Sequence, residues 1–141
     1  MPKKIHKLTG GEVYDFSLAG ISSPENDYRI SWILNNAMGF RLVKKEDLEI
    51  YHKRLEHPQA FAQFRYFDEE GLLHYRLISN KCENGFLLEE MVNIDYLLQV
   101  SGEVDEGFMN NLVNDLKSVE GVRMAFRIDP SSLRSKQKLL I

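Results

Sequence analysis

Ile94-Asp95-Tyr96-Leu97-Leu98-Gln99-Val100, then Phe108-Met109-Asn110-Asn111-Leu112-Val113-Asn114-Asp115-Leu116, then Val122-Arg123-Met124-Ala125-Phe126-Arg127-Ile128 decide the fold. In the first run Ile94, Tyr96, Leu98 and Val100 fall on one side, which is the period of a strand. In the second, Phe108, Met109, Leu112, Val113 and Leu116, extended by Val119, recur at helical spacing. The third returns to alternation, with Val122, Met124, Phe126 and Ile128 together. Strand, helix, strand is the reading, with the helix expected to make a right-handed crossover between parallel strands. These patterns establish a fold class and no chemistry.

Upstream, Glu12 to Ala19 alternates through Tyr14, Phe16 and Leu18 and predicts a first strand. A helix follows, with Ile30, Ile33, Leu34, Ala37 and Met38 as its buried stripe and Tyr28 and Trp32 flanking it. Ser22 with Glu25 has capping-box spacing, and Ser23 before Pro24 offers an alternative cap. Gly39 is placed to end the helix in the left-handed conformation. Phe40 to Tyr51 reads as one strand interrupted at Lys44-Lys45-Glu46-Asp47, or as two short strands, and His52 to Gln59 as a loop. Ala60–Phe67 and Leu72–Ser79 flank Asp68-Glu69-Glu70-Gly71, a hairpin signal. Asn80–Gly85 predicts a turn, and Phe86–Asn93 either a helical turn or an extended segment.

The expected order is β-α-β-β-β-β-α-β. Two helices, each with one apolar stripe, and about five to six strands make an α+β two-layer sandwich, mostly antiparallel, with both helices on one face. Residues 12–128 form the expected single domain, after a flexible lead at 1–11 and before a basic tail at 129–141.

The chain has 141 residues, 43% hydrophobic and 28% charged, with a formal net charge of −3. That length suffices for one core without staples, and the charge argues against a general polyanion binder. A lone cysteine, Cys82, makes no internal disulfide and fits a reducing, cytoplasmic setting. Met1-Pro2-Lys3-Lys4-Ile5-His6-Lys7 is basic but lacks the apolar stretch of a secretory signal. No run approaches the roughly 18 apolar residues of a membrane span.

Leu88-Glu89-Glu90-Met91-Val92-Asn93-Ile94-Asp95-Tyr96 resembles the motif of the bacterial IPExxxVDY family. Glu90, Asp95 and Tyr96 match its letters and Ile94 replaces Val, while Leu88 and Glu89 depart from its leading Ile-Pro. Ala19-Gly20-Ile21-Ser22-Ser23-Pro24, with Trp32, Leu34 and Asn35, is similar to the family's first helix. The resemblance implies a small cytoplasmic bacterial protein and brings no active site with it.

Candidate chemistry is sparse. His52 and His57 are spaced wrongly for one helical face, and no ligand pattern with His6 or His74 suggests a metal. Cys82 lacks a histidine at a recognisable catalytic spacing. Glu89, Glu90 and Asp95 cluster, yet no phosphate loop or nucleophile accompanies them, so Asp95 is expected to fix a turn rather than to catalyse. No cofactor is implied. Phe61-Ala62-Gln63-Phe64-Arg65-Tyr66-Phe67 lacks the basic-Gly start of an RNA-binding strand. If the helices cover the face of Ile94, Tyr96, Leu98, Val122, Met124 and Phe126, the opposite face gathers Arg123 and Arg127 with Asp95 and Gln99. With Leu73, Tyr75 and Leu77 buried, it also gains His74, Arg76 and Arg65. Such a face suits anions or an acidic partner. A solvated sheet face laced with weak ion pairs is the plainer reading of the same residues.

The function expected is a non-enzymatic protein-binding or adaptor domain, with a homodimer through a strand edge as a companion possibility. The alternatives are an enzyme built around Glu90, Asp95 and Tyr96, or a weak nucleic-acid binder using the arginines. A deep polar pocket holding those three side chains would favour the enzyme.

Overall fold

The computed structural model describes residues 6–7, 13–14, 16–52, 54, 56–134 and 138–139. Its elements are β1 (Phe16–Ser22), α1 (Asp27–Met38), β2 (Val43–His52), β3 (His57–Asp68), β4 (Leu73–Ser79), β5 (Tyr96–Ser101), α2 (Glu106–Lys117) and β6 (Met124–Ile128). The sequence-based order is reproduced, and short pairs at His6–Lys7 with Val13–Tyr14 and at Lys81–Cys82 with Gly85–Phe86 are added. The six long strands form one sheet in the order β6-β1-β5-β4-β3-β2. Every neighbouring pair is antiparallel. Because β1 is antiparallel to both β5 and β6, those two are parallel to each other, with β1 between them. The crossover through α2 thus spans one strand. Apart from His6–Lys7, the expected flexible lead at 1–11 lies outside the described residues.

Both helices pack on the same sheet face. Ile30 and Leu34 of α1 and Met109, Leu112, Val113 and Leu116 of α2 meet Ala19, Ile21, Tyr75, Leu77, Leu98 and Val100 of the strands. Each buried Ile, Leu, Val or Met side chain among them contributes about 1.5–3 kcal/mol. Helix α1 starts one turn later than the expected caps allow. Asn26 Oδ1 accepts from Arg29 N at 2.8 Å, while Ser23 Oγ accepts from Glu25 N and donates to Gly121 O. Ser23 is thus spent on the turn before the helix and on the α2–β6 connection. Gly39, at φ 72°, ends α1 as expected.

Two segments read as broken or irregular are strands. Residues 43–52 make one strand, β2, whose register shifts between Lys45 and Leu48. A β-bulge absorbs the charged run there. The expected loop His52–Gln59 instead closes a tight hairpin. Tyr51 faces Pro58 and Ile50 faces Gln59, with Pro58 tolerated because it stands at the start of β3.

The second sheet face is also covered. Leu18, Phe61, Ile78 and Leu97 pack beneath Leu87, Leu88 and Ile94 and beneath Leu133 and Leu139. Segment 80–95 and the chain after β6 therefore act as a second layer. Among its described residues, the basic tail docks on this layer through apolar side chains. Leu139 is 1% exposed and its carbonyl accepts from Gln99 Nε2 at 3.0 Å. Lys138 Nζ donates to Leu87 O at 2.8 Å.

Tyr75 sits between Phe40 and Tyr66, with ring centroids 4.6 and 5.5 Å away. Burial, helped by Asp68, pushes its phenol up to about 12. The fold therefore favours the protonated phenol. Its contribution is complete below the ordinary value of 10.0 and is lost as pH climbs toward about 12. Tyr75→Phe, measured by urea denaturation at neutral pH and under alkaline conditions, is expected to stay within about 1 kcal/mol of the parent near neutrality. Its alkaline midpoint should rise; an unchanged one would contradict this role.

Candidate functional site

The motif residues Glu90, Asp95 and Tyr96 do not converge on a reaction centre. Asp95 Oδ2 accepts from Ser23 N at 2.8 Å and Ser22 Oγ at 3.3 Å, and Oδ1 pairs with Lys81 Nζ at 2.5 Å. Its main chain joins Ile21 O and Asn80 N at 2.9 Å each. The Tyr96 hydroxyl donates to Glu25 O at 2.5 Å, and burial, with nearby Asp27, Asp95 and Glu25, pushes its pKa well up, so it remains a donor. Glu90 Oε2 accepts from Arg134 N at 2.5 Å, which holds the segment after β6 against residues 87–91. Asp95 and Tyr96 line a cleft of about 330 Å³ with Lys81 and Arg123, whereas Glu90 is absent from it. A carboxylate committed to an amide, a hydroxyl and an ammonium is a fastener, ill-suited to move protons.

The four arginines are not one surface, which corrects the expectation of a shared face. Arg65 and Arg76 do stand opposite each other across β3 and β4, on the side away from the helices. Arg127 alternates with Phe126 and Ile128 and lies on the helix side, where it pairs with Glu106 at the start of α2. Ala125, not Met124, is the β6 residue packed against the helices, while Phe126 and Ile128 join the opposite core. The register of β6 is thus one residue off the expected facing. Arg123 precedes β6 and stands at the cleft beside Lys81 and Asp95.

The Arg65–Arg76 side is open at Arg65 and His74 but closed at Arg76. Arg76 is 7% exposed, with Nε donating to Gln63 Oε1 at 2.8 Å and Nη1 to Gln99 Oε1 at 3.3 Å. Its Nη2 is buried without a partner. Burial and then Arg65 lower its pKa to about 10. At neutral pH it is a buried cation held by neutral amides.

Of the other sequence candidates, Cys82, His57 and His74 have described contacts. Cys82 packs against the second core with Sγ 3.0 Å from Asn84 Oδ1, and His57 Nδ1 lies 3.0 Å from Asn84 Nδ2. His74 packs on Phe67, ring centroids 4.5 Å apart. Among the described residues no group of His, Cys, Asp or Glu is arranged to hold a metal. No described helix is long and apolar enough to cross a membrane.

One surface was read in the sequence only as the flank of a stripe. On the outer side of α1, Trp32 is 55% exposed and Tyr28 63%. The Arg29 guanidinium lies 4.8 Å from the Trp32 ring centroid, a cation–π contact that fixes the indole. Beside it runs a groove of about 450 Å³ between α1 and the turn after α2. Trp32, Ile33, Ala37 and Val119 give it apolar walls, and Glu25 and Glu120 add carboxylates. Arg29 engages Glu25 at 4.0 Å, whereas Glu120 makes no ion pair among the described residues. A tryptophan at Trp32, solvent-facing beside an arginine one turn back, is the signal that could have revealed it.

In comparison with known proteins, the chain matches no family model, no curated protein and no solved structure.

Proposed function

We propose that this chain is a non-enzymatic protein-binding domain. Its docking site is the groove beside α1, and its partner is a segment that presents an apolar anchor next to a lysine or arginine. The observation that carries this reading is Trp32, more than half exposed and braced by Arg29 over an apolar-walled groove. Tryptophan and arginine dominate the energetics of protein interfaces because they bury large rigid area at small entropic cost. Glu120, with no ion pair among the described residues, supplies the complement for a basic residue, and the net charge of −3 favours the same partner.

The alternatives draw less support. The oxygens of Asp95 and the hydroxyl of Tyr96 are committed to structural bonds, which weighs against an enzyme centred on them. The division of the arginines between sites weighs against a nucleic-acid surface, which needs its cations on one side. Self-association through the edge strand β2 is opposed by its bulge and by the charges of Lys44, Lys45, Glu46 and Asp47, devices that guard an edge. Membership of the IPExxxVDY family and a cytoplasmic setting, the latter resting on the lone Cys82, belong to the same proposal.

Selection from a displayed random peptide library tests the reading. Enriched peptides are expected to share an aromatic or aliphatic residue beside Lys or Arg. Trp32→Ala should weaken the best of them by about 2 kcal/mol or more, roughly 30-fold, with little change in folding because the ring is exposed. No enrichment, or equal binding by the variant, would contradict it.

A further inference from the structure

We propose that the cleft between Lys81, Asp95 and Arg123 is a binding site for a small zwitterion of the amino-acid class, a second role beside the groove along α1, with which the cleft shares Glu25. Its volume of about 330 Å³ lies at the small end of the range for ligand pockets, about 300–1,000 Å³. The lining includes Ser79, Tyr96 and four charged side chains, Glu25, Lys81, Asp95 and Arg123.

Arg123 is the first reason to expect a ligand. Its main-chain N donates to Ser22 O at 2.8 Å, which anchors the residue at the cleft. Its guanidinium has no hydrogen-bond or ion-pair partner among the described residues. Arg123 therefore brings to the cleft lining five donors whose planar fork matches a carboxylate. Lys81 is the second. Asp95 holds its ammonium at 2.5 Å, and Asp95 is itself held by Ser23 N and Ser22 Oγ. An ammonium has three donors, so one ion pair leaves donors for a second acceptor.

The charge balance then selects the class of ligand. Two cations and two carboxylates line the cleft. A dianion such as phosphate would face Asp95 and Glu25, and a simple amine would face Arg123 and Lys81. A molecule with one charge of each sign meets both sets favourably. Its carboxylate is assigned to Arg123 and Lys81. Its ammonium is assigned to Glu25, whose one ion pair among the described residues is the long one of 4.0 Å to Arg29. Glu25 is also fixed through its carbonyl, which accepts from the Tyr96 hydroxyl.

The test is calorimetric titration of the full chain with each common amino acid, with inorganic phosphate, acetate and methylamine as probes that carry charge of one sign only. At least one amino acid is expected to bind saturably in the millimolar range or tighter, and the one-sign probes are expected not to. Arg123→Ala should weaken that binding by about tenfold or more, because it removes an exposed side chain and leaves the fold intact. Glu25→Gln should weaken it also, whereas Trp32→Ala should leave it unchanged. Absence of binding by every amino acid would overturn the assignment. So would phosphate binding as well as the best amino acid, or full retention of affinity in Arg123→Ala.

Discussion

Asn80→Ala is expected to destabilise the domain by about 3–5 kcal/mol. Asn80 is 0% exposed, and its side chain closes the whole segment 80–95. Its Oδ1 accepts from Leu88 N at 2.7 Å, and its Nδ2 donates to Met91 O and Ile94 O at 2.9 Å each. Its main chain adds bonds to Asp95 O and from Leu87 N. Alanine leaves two buried main-chain groups, Leu88 N and Ile94 O, unpaired, each costing about 1–3 kcal/mol, and takes one of two donors from Met91 O, which keeps Ile94 N at 3.2 Å. The same loop lays Leu87, Leu88 and Ile94 over the second sheet face, so loosening it also uncovers core. Urea denaturation measures the loss; a change below about 1 kcal/mol would show that the segment is held by its apolar contacts alone.

Asp95→Ala is expected to cost about 2–3 kcal/mol, the range for removing a charged acceptor with several partners. The Ser23 amide loses its acceptor and Lys81 its counterion. Ser23 also ties the α2–β6 turn through Gly121 O at 2.6 Å, so the damage should reach the turn that walls the groove. Asp95→Asn keeps an acceptor for Ser23 and should recover part of the loss. Thermal denaturation of the two variants separates these effects. Equal stability of Asp95→Ala and the parent would remove the fastening role and revive a chemical one.

Much of this architecture was legible because hydrophobic period and turn chemistry agree. The strand-helix-strand run over 94–128, the hairpin around Asp68–Gly71 and the stop at Gly39 each rest on a local rule that tertiary packing reinforced. The parity of Arg65, His74 and Arg76 followed from burying Leu73, Tyr75 and Leu77 toward the helices, and that placement holds. On β6 the rule fails for a physical reason. Both sides of that strand are partly apolar, and the small Ala125 faces the helices, leaving Phe126 and Ile128 for the other core.

The covered second face also left a trace. Leu77-Ile78 and Tyr96-Leu97-Leu98 are continuous apolar runs, the mark of strands buried on both sides. Reading them only by alternation hid the second layer. The groove beside α1 was not legible at all, because it joins a helix surface to a turn some 85 residues along the chain, at Val119–Gly121. Only the exposure of Tyr28 and Trp32 in the fold distinguishes them from the flank of a core stripe.

The most direct test of groove binding is an amide-shift titration of isotopically labelled protein with the tightest peptide from library selection. Shifts are expected to concentrate on Glu25–Ala37 and Val119–Gly121 and to vanish in Trp32→Ala. Shifts centred instead on the β2 edge, the Arg65–Arg76 side or nowhere would contradict docking at α1.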